Sequence, residues 1–251
     1  MFKYIKYIIR AGWYIIGFYP RYLYYLITKN KKTPYEVRYK KTQKTLVKVS
    51  KLLHVVYHIE GLENIPEDKG HLFIGNHQSF FDPLSLIINL PDRKLVCVAK
   101  KESIKFPIAG QIIYSLDTLL MDRDDLRASV KVIREAANEL QKKERDVVIF
   151  PEGTRTKNKD KSMNEFKPGS LKTAYFAKAT IVPFVFSDSY KVLDIKVKDK
   201  RSHVKLSFLK PLTYDDYKDL STVELAEKLH KMVNDELQRL NEIQYLPVKK
   251  K

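Results

Sequence analysis

Short apolar runs that alternate with helix-like segments constrain the fold of this chain more than any other feature. After Leu52 there are six such runs, each typical of a buried β-strand: VVYHI, HLFIGN, KLVCVAK, TLLM, DVVIF and IVPFVF. Helix-like segments lie between several of them, and residues 129–142 space four apolar side chains at steps of 3, 4 and 3. Strands that alternate with helices predict an α/β domain with a mostly parallel central sheet flanked by helices.

The C-terminal part of the chain predicts two more strands and a long surface helix. YKVLDIKV and HVKLSFL are predicted as strands joined by the charged stretch KDKRS. The segment STVELAEKLHKMVNDELQRLNE opens with Ser221, a favourable N-cap residue. Its apolar face consists of Leu225, Leu229, Met232 and Leu240.

The chain is strongly basic, with 47 Lys and Arg residues against 30 Asp and Glu residues and a net charge of +17. Such an excess favours a polyanionic partner: nucleic acid, an anionic membrane face or a phosphorylated substrate. The single cysteine, Cys97, excludes a disulfide within this sequence, and its apolar neighbours in LVCVA predict a buried structural thiol. A reducing, cytoplasmic environment fits this cysteine content.

Residues 1–28 are apolar and aromatic but predict neither a signal peptide nor a membrane span. Ten of the chain's 29 aromatic residues lie there, and the longest uncharged run, Ala11–Pro20, has ten residues. A bilayer span needs about 20. Lys3, Lys6 and Arg10 share one helical face, while aromatic rings favour the membrane interface. We therefore expect a helical, monotopic membrane anchor; the alternative is a helix docked on the domain core.

A basic stretch follows the aromatic segment. Residues 29–51 hold nine basic residues and a single acid, Glu36. These charges either attract anionic lipid headgroups or form the solvated face of an ordinary helix, and their position after the aromatic segment favours the first. We expect residues 1–51 to form a membrane anchor with a helical linker, and residues 52–251 to form the α/β domain.

A histidine and an aspartate lie five positions apart in NHQSFFD, directly after an apolar run. The run predicts a strand and DPLSLII predicts a helix, with Asp82 available as N-cap and Pro83 as first helical residue. Reactive groups of α/β proteins lie at such carboxyl ends of strands. His77 and Asp82 are therefore candidates for a pair in which the carboxylate orients the imidazole as a base. Alternatively, they are only a turn residue and a helix cap.

Neither an enzyme-borne nucleophile nor a metal site is predicted. No serine lies in a GxSxG pattern and Cys97 lies in an apolar run, so a base at His77 would act on a hydroxyl that the substrate brings. The six histidines contain no HExxH pattern, and the one close pair, His54 and His58, falls in a predicted strand.

Two further stretches carry arginines directly after predicted strands. In VVIFPEGTRT a turn precedes Arg155, where backbone N–H groups and a guanidinium are suited to hold a phosphate. In LLMDRDD, Arg123 follows a short strand. The alternatives are a surface arginine after a β-turn, and an ion pair of Arg123 with Asp122 or Asp125.

NHQSFFD, LLMDR, FPEGTR and IVPF, in this order, resemble the glycerophosphate acyltransferase family, and within it the 1-acyl-glycerol-3-phosphate acyltransferases of PlsC type. The resemblance covers roughly residues 55–210. It implies that His77 is the general base and that Asp82 orients it. The residues it implies for binding the glycerol phosphate are Arg123, Glu152, Gly153, Thr154 and Arg155, with Lys100 and Lys105 as further phosphate-site candidates. Pro183 matches the proline of the fourth motif, which has acyl-donor or fold roles.

The resemblance implies transfer of a fatty acyl group from a thioester, on coenzyme A or acyl carrier protein, to the sn-2 hydroxyl of lysophosphatidic acid. The product is phosphatidic acid, in phospholipid biosynthesis. The thioester is a co-substrate, and no cofactor is expected. Backbone N–H groups of residues 76–79 are candidates for stabilising the tetrahedral oxyanion. We expect the protein at the cytoplasmic face of the cell membrane, peripheral or monotopic, with membrane phospholipid, lysophosphatidic acid and the thioester carrier as partners.

Other interpretations are open at this point. The acceptor is alternatively glycerol 3-phosphate or another lysophospholipid. From other classes, the chain is a non-catalytic basic protein that binds membranes or nucleic acid, or a metal-dependent hydrolase. The clustering of aromatic residues in the N-terminal segment, in place of alternation with basic residues, argues against nucleic acid.

Asp117 departs from the pattern of the family. The second motif usually opens with glycine at this position, and Leu120 and Met121 follow in place of bulkier or β-branched residues. An acid there would repel a phosphate if it faced the pocket. Either Asp117 points away from the pocket, or the substrate is held differently from the family norm.

Overall fold

The computed structural model describes residues 33–105, 107–156, 162–193 and 201–245. Within them the strands are β1 (Val55–Glu60), β2 (Leu72–Gly75), β3 (Leu95–Lys100), β4 (Leu119–Met121), β5 (Asp146–Ile149), β6 (Ile181–Ser187) and β7 (Ser202–Phe208). The α-helices are α1 (Tyr35–Leu52), α2 (Asp82–Asn89), α3 (Pro107–Ser115), α4 (Leu126–Gln141), α5 (Pro168–Ala177) and α6 (Thr222–Glu242). Short 3-10 helices cover Leu62–Asn64, Lys101–Lys105, Ser189–Leu193 and Tyr214–Asp216.

The strands form one sheet in the order β1-β7-β6-β2-β5-β3-β4. Neighbouring strands run parallel at every pairing except that of β6 with β7. The predicted mostly parallel sheet is therefore confirmed. Because β2, β3, β4 and β5 are mutually parallel, the loops that follow them meet at one edge of the sheet, here called the carboxyl edge. The opposite edge, where these strands begin, is the amino edge.

Helices cover both faces of the sheet, as expected for parallel strands whose two faces are apolar. Alternate residues of one strand point to opposite faces. Thus Leu72 and Ile74 pack with buried residues of α4, α5 and α6, whereas Phe73 packs with buried residues of α1 and α2. The flanking helices therefore hold the central strands rigidly from both sides.

All six apolar runs form strands, as predicted, and so does HVKLSFL. The prediction of a strand at YKVL was wrong, because these residues end a 3-10 helix at Ser189–Leu193. Asp188 adopts a left-handed backbone with φ of 66°, and the Lys191 N–H donates to its carbonyl at 3.1 Å. This turn ends the extended conformation of β6. The rest of the predicted strand, residues 194–200, lies outside the described residues.

The two helices predicted from apolar spacing are present, with one change of bounds. α6 begins after Ser221, whose hydroxyl accepts the Glu224 N–H at 3.2 Å, so the predicted cap is confirmed. α4 begins at Leu126, three residues earlier than predicted, because the Asp125 carboxylate accepts the Ala128 N–H at 3.0 Å and caps it.

Helix α1 packs one face on the α/β domain and presents the other to solvent. Tyr39 and Leu46 are buried in the core beside α2, while Lys40, Lys41 and Lys44 are exposed. Residues 1–32, where the aromatic anchor is predicted, lie outside the described part of the chain. No helix within the described ranges is both long and apolar enough to cross a membrane.

Cys97 is buried in β3, as predicted from its apolar neighbours. Burial raises the pKa of its thiol to about 12, since the thiolate would be formed away from water. The thiol is therefore protonated and unreactive at neutral pH.

Candidate active site

The sheet brings the candidate residues from distant parts of the sequence to its carboxyl edge. His77 follows β2, Arg123 follows β4 and Arg155 follows β5, and these strands are neighbours or near neighbours in one parallel array. Gly75 ends β2, and a Cβ at that position would lie 2.3 Å from the Phe184 carbonyl oxygen of β6. Only glycine therefore lets the two strands approach this closely just before His77.

His77 and Asp82 form a hydrogen-bonded pair. The imidazole Nδ1 lies 2.9 Å from Asp82 Oδ2, and the Asp82 side chain is fully buried. The same oxygen accepts the N–H groups of Gln78 and Ser79, each at 2.7 Å. These three contacts fix the orientation of the carboxyl group so that Oδ2 faces the imidazole.

Asp82 is not the N-cap that the sequence indicated. It is the first residue of α2, Pro83 is the second, and Phe81 precedes the helix without a side-chain cap. The carboxylate turns back to the N–H groups of the preceding loop instead of forward to the first turn of the helix. Its role as a mere helix cap is therefore excluded by geometry.

The imidazole of His77 is held so that one nitrogen is left available. Its ring stacks on Phe150, with centroids 4.2 Å apart and planes at 26°. In the tautomer whose Nδ1 donates to Asp82, the lone pair of the ring is on Nε2. No described residue hydrogen-bonds to Nε2, and the side chain is 18% exposed. The geometry thus presents a base at the carboxyl edge.

The main chain of His77 is clamped by the loop after β5. Its N–H donates to Glu152 Oε1 at 2.7 Å, and its carbonyl accepts the Thr156 N–H at 2.7 Å. The second carboxylate oxygen of Glu152 accepts the Thr156 hydroxyl at 2.5 Å and the backbone and side-chain N–H groups of Asn164 at 3.0 and 2.9 Å.

This arrangement corrects the role that the resemblance implied for Glu152. Its side chain is 2% exposed, both oxygens already accept hydrogen bonds, and its charge has the same sign as a phosphate. Direct contact with a phosphate would require breaking these bonds and placing two anions together. Glu152 instead holds the backbone of His77 in place.

Arg155 is half-buried in the loop after β5, beside Phe80. Its guanidinium stacks over the Phe80 ring at 3.6 Å from the centroid, and Phe80 is 49% exposed. Among the described residues, no acceptor bonds to this guanidinium. Gly153, with φ of 69°, makes the turn before it, and Thr154 is exposed. This loop has the free donors that a phosphate site requires.

Arg123 is exposed and pairs with neither of the acids proposed as its partners. Asp122 lies 3.4 Å from the ammonium of Lys101, and Asp125 caps α4. Desolvation lowers the pKa of the Arg123 guanidinium, and the charge of Glu102 opposes this shift. Because no ion pair holds Arg123 within the described ranges, its guanidinium is available to an anionic ligand at this edge.

Lys100 and Lys105 lie at and after the carboxyl end of β3. Lys100 is 3.5 Å from Glu102, with both side chains partly exposed, and Lys105 is exposed at the end of its 3-10 helix. Both lysines are therefore surface cations on the same side of the sheet as Arg123.

Asp117 lies at the amino edge, directly before β4, on the side of the sheet away from His77. Its carboxylate is 2.9 Å from Arg38 and 3.5 Å from Arg145. Its φ of 48° is a left-handed conformation that favours glycine, which gives the family's glycine at this position a backbone reason. Asp117 thus points away from the candidate phosphate site.

The expected oxyanion donors of residues 76–79 are mostly occupied. The N–H of His77 donates to Glu152, and those of Gln78 and Ser79 donate to Asp82. These three N–H groups therefore serve to shape the loop.

The side chains of two asparagines support the site, and the sequence did not predict this role for them. Asn76, fully buried after β2, bonds both the N–H and the carbonyl of Phe186 in β6, at 2.7 and 2.8 Å. Asn164 bonds Glu152. A buried polar residue directly after a strand was the one available signal for Asn76. Pro183 lies buried in β6 opposite Ile74, which is a fold role.

No three His, Cys, Asp or Glu side chains in the described ranges are grouped so that they could hold a metal ion. His58 lies in β1, where its Nε2 is 2.9 Å from Nδ1 of His203 in β7.

The sheet and the His-Asp pair at its carboxyl edge agree with a match to a known protein family. The family model described as Acyltransferase matches residues 56–187, just over half of the chain. The chain belongs to this acyltransferase family.

Curated relatives carry the name 1-acyl-sn-glycerol-3-phosphate acyltransferase. One from Cocos nucifera is 29% identical over 66% of this chain and 53% of its own length. The alpha form from Bos taurus is 30% identical over 72% of this chain and 65% of its own length. One from Streptococcus pneumoniae is 26% identical over 74% of this chain. The chain thus spans about half to two thirds of the first two relatives.

A solved structure confirms the fold. It is that of the 1-acyl-sn-glycerophosphate (LPA) acyltransferase PlsC from Thermotoga maritima, with a TM-score of 0.73 and 22% identity over 96% of both chains. The predicted α/β architecture with a mostly parallel sheet is therefore shared with a known member of this fold.

Proposed function

We propose that this protein transfers a fatty acyl group from an acyl thioester to the sn-2 hydroxyl of lysophosphatidic acid, forming phosphatidic acid. The observation that carries the proposal is the His77–Asp82 pair, whose Nε2 faces no protein partner among the described residues. The names of the relatives support the substrate, because several of them are 1-acyl-sn-glycerol-3-phosphate acyltransferases.

His77 Nε2 takes the proton of the acceptor hydroxyl as its oxygen attacks the thioester carbonyl. General-base help of this kind is typically worth ~10²–10⁴-fold. Asp82 holds the Nδ1 proton and stabilises the imidazolium that forms. The tetrahedral intermediate then collapses: the C–S bond breaks, the ester C–O bond is kept, and the imidazolium returns its proton to the leaving thiolate. No covalent acyl-enzyme forms.

The acceptor's phosphate is placed beside Arg155, whose planar guanidinium is suited to bidentate contact with phosphate oxygens. Arg123 adds a second, exposed guanidinium at the same edge. Lys100 and Lys105 contribute longer-range attraction to the phosphate and to an acidic donor. The net charge of +17 supports such partners.

The donor is a thioester on acyl carrier protein or coenzyme A, and it serves as a co-substrate, so the reaction needs no cofactor. We place the protein at the cytoplasmic face of the cell membrane, because lysophosphatidic acid resides in the bilayer while the donor is soluble. Residues 1–51 are proposed as a monotopic anchor with a helical linker, on the basis of their aromatic and basic composition. Nucleic acid is not proposed as a partner.

The decisive experiment measures acyl transfer from a long-chain thioester to lysophosphatidic acid in vesicles, for wild type, His77→Ala and Asp82→Asn. We expect a loss on the order of 10³-fold in both variants, because one lacks the base and the other its orienting anion. Folding and vesicle co-sedimentation serve as controls and should be retained.

Equal activity of wild type and His77→Ala would refute the proposed mechanism. If the protein acylates glycerol 3-phosphate or another lysophospholipid but not lysophosphatidic acid, the proposed acceptor is wrong and the proposed acyl-transfer mechanism stands. Activity that disappears with a chelator would point to the metal-dependent hydrolase class instead.

A further inference from the structure

Asn164 lies outside all four motifs, yet it bonds the carboxylate that holds the main chain of His77. We propose that Asn164 is a positioning residue for His77 and acts through Glu152. The catalytic consequence of this inference rests on the proposed function, whereas the structural link between the three residues does not.

Glu152 is a buried carboxyl group whose oxygens are satisfied by hydrogen bonds from uncharged donors. Among the described residues no Lys or Arg pairs with it, and its two oxygens accept four donors. Asn164 supplies two of these four, its backbone and side-chain N–H groups, at 3.0 and 2.9 Å. A buried carboxylate that loses a donor must rotate, admit water or take up a proton. The orientation of Glu152 therefore depends on the Asn164 amide.

The orientation of Glu152 reaches the imidazole through the backbone. Oε1 accepts the His77 N–H at 2.7 Å, while Thr156 contributes its hydroxyl to Glu152 and its own N–H to the His77 carbonyl. The peptide group before His77 is thus bonded to Glu152 directly, and the one after it is bonded to Thr156, which itself bonds Glu152. We call Glu152, Thr156 and the hydrogen bonds that they make to the main chain of His77 the frame around His77. Loosening this frame is expected to displace Nε2. A displacement of about 1 Å in a catalytic group can cost ~10²-fold in rate.

The test compares Asn164→Ala and Asn164→Asp with wild type. Both variants keep the backbone N–H of residue 164, so only the side-chain donor changes. We expect kcat to fall roughly 10- to 100-fold in Asn164→Ala, with KM for acceptor and donor unchanged. The fall in kcat should be larger in Asn164→Asp, because the new carboxylate then faces that of Glu152.

Asn89→Ala is the matched control. Its amide donates to the Ser85 carbonyl at 2.8 Å in α2, so the variant loses a comparable bond without touching the frame around His77. We expect its kcat to be unchanged. If Asn164→Ala does not fold, Thr156→Val removes another donor from the same oxygen of Glu152 and carries the same expectation for kcat.

A second readout does not depend on activity. In protein labelled with ¹⁵N-histidine, the amide proton of His77, assigned by its loss in His77→Gln, reports the bond to Glu152. We expect this signal to shift in Asn164→Ala and to stay unchanged in Asn89→Ala. An unmoved His77 amide, or a raised KM for the acceptor at constant kcat, would overturn the proposal. If wild type transfers no acyl group while the amide shifts as expected, the link to His77 stands and the proposed function falls.

Discussion

The buried acids at the amino edge of the sheet and those around His77 at the carboxyl edge have different kinds of partner. At the amino edge, arginines and acids satisfy one another: Arg93 bonds Asp146 at 2.8 Å, and Arg38 bonds Asp117 at 2.9 Å. Asp146 is fully buried and also accepts the N–H groups that precede β2. These ion pairs join separate segments of the chain, so each charge has its partner within the protein.

Around His77 at the carboxyl edge, the buried acids Asp82 and Glu152 are satisfied by uncharged donors and by the imidazole, whereas the ion pairs of this edge, Lys100 with Glu102 and Lys101 with Asp122, lie at its exposed rim. Asp82 and Glu152 accept the N–H groups of the loops around His77. Arg155 is held by the ring of Phe80 and has no acceptor among the described residues. A charge with a protein partner stabilises the fold, and a charge without one is available to a ligand. The comparison therefore predicts that mutations at the two edges separate stability from activity.

The largest effect on stability is expected from Arg93→Met at the amino edge. It leaves the buried carboxylate of Asp146 without its cation, which typically costs about 3–5 kcal/mol. The activity of the folded protein should be unchanged, since Arg93 is remote from His77. Urea unfolding together with specific activity at low temperature measures both quantities.

Arg239→Met is the control for this prediction. Arg239 pairs with Glu236 and Glu60 on the exposed face of α6, where such pairs are worth about 0–1 kcal/mol. If Arg93→Met were no more destabilising than Arg239→Met, the amino edge would not have the stabilising role assigned to it.

Arg155→Ala should have the converse effect. Loss of a charge-assisted contact with phosphate, worth about 1.5–3 kcal/mol, raises KM for lysophosphatidic acid roughly 10- to 100-fold, and the free energy of unfolding changes little. Steady-state kinetics with lysophosphatidic acid and with a phosphate-free monoacylglycerol give KM for each acceptor. KM for the phosphate-free acceptor should not change.

Arg134→Ala provides the matched control, because Arg134 also stacks over a phenylalanine ring, Phe176, at 5.0 Å from the centroid. We expect its kinetics to equal those of wild type. A similar rise in KM in both variants would mean that the overall positive charge, and not the position of Arg155, attracts the acceptor.

The sequence predicted those parts of the site whose partners are close along the chain. His77 and Asp82 are five residues apart across a single strand-to-helix turn, so their spacing alone suggested that they meet. The strands were predictable for a similar reason, because a run of apolar residues is a local signal.

Contacts between distant segments were not predictable from the sequence. Glu152 bonds the His77 N–H across 75 residues, and Arg38 bonds Asp117 across 79. The resemblance to the family implied a substrate-binding role for Glu152, and only the sheet topology shows that this residue is buried beside the loop that follows β2. The pairing of Asp117 likewise requires α1 to lie at the amino edge, which no local pattern indicates.

The smallest effect is expected from Asp117→Gly, which restores the residue usual for the family. The change removes an ion pair of a partly exposed carboxylate, worth about 0.2–1 kcal/mol, and relieves a left-handed backbone at φ of 48°. These effects oppose each other, so the free energy of unfolding should change by less than about 1 kcal/mol. KM for lysophosphatidic acid should stay constant in Asp117→Gly and in Asp117→Asn, which tolerates the same backbone. A several-fold fall in KM in both variants would show that the acid repels the acceptor's phosphate. The charges of the two edges would then not act independently.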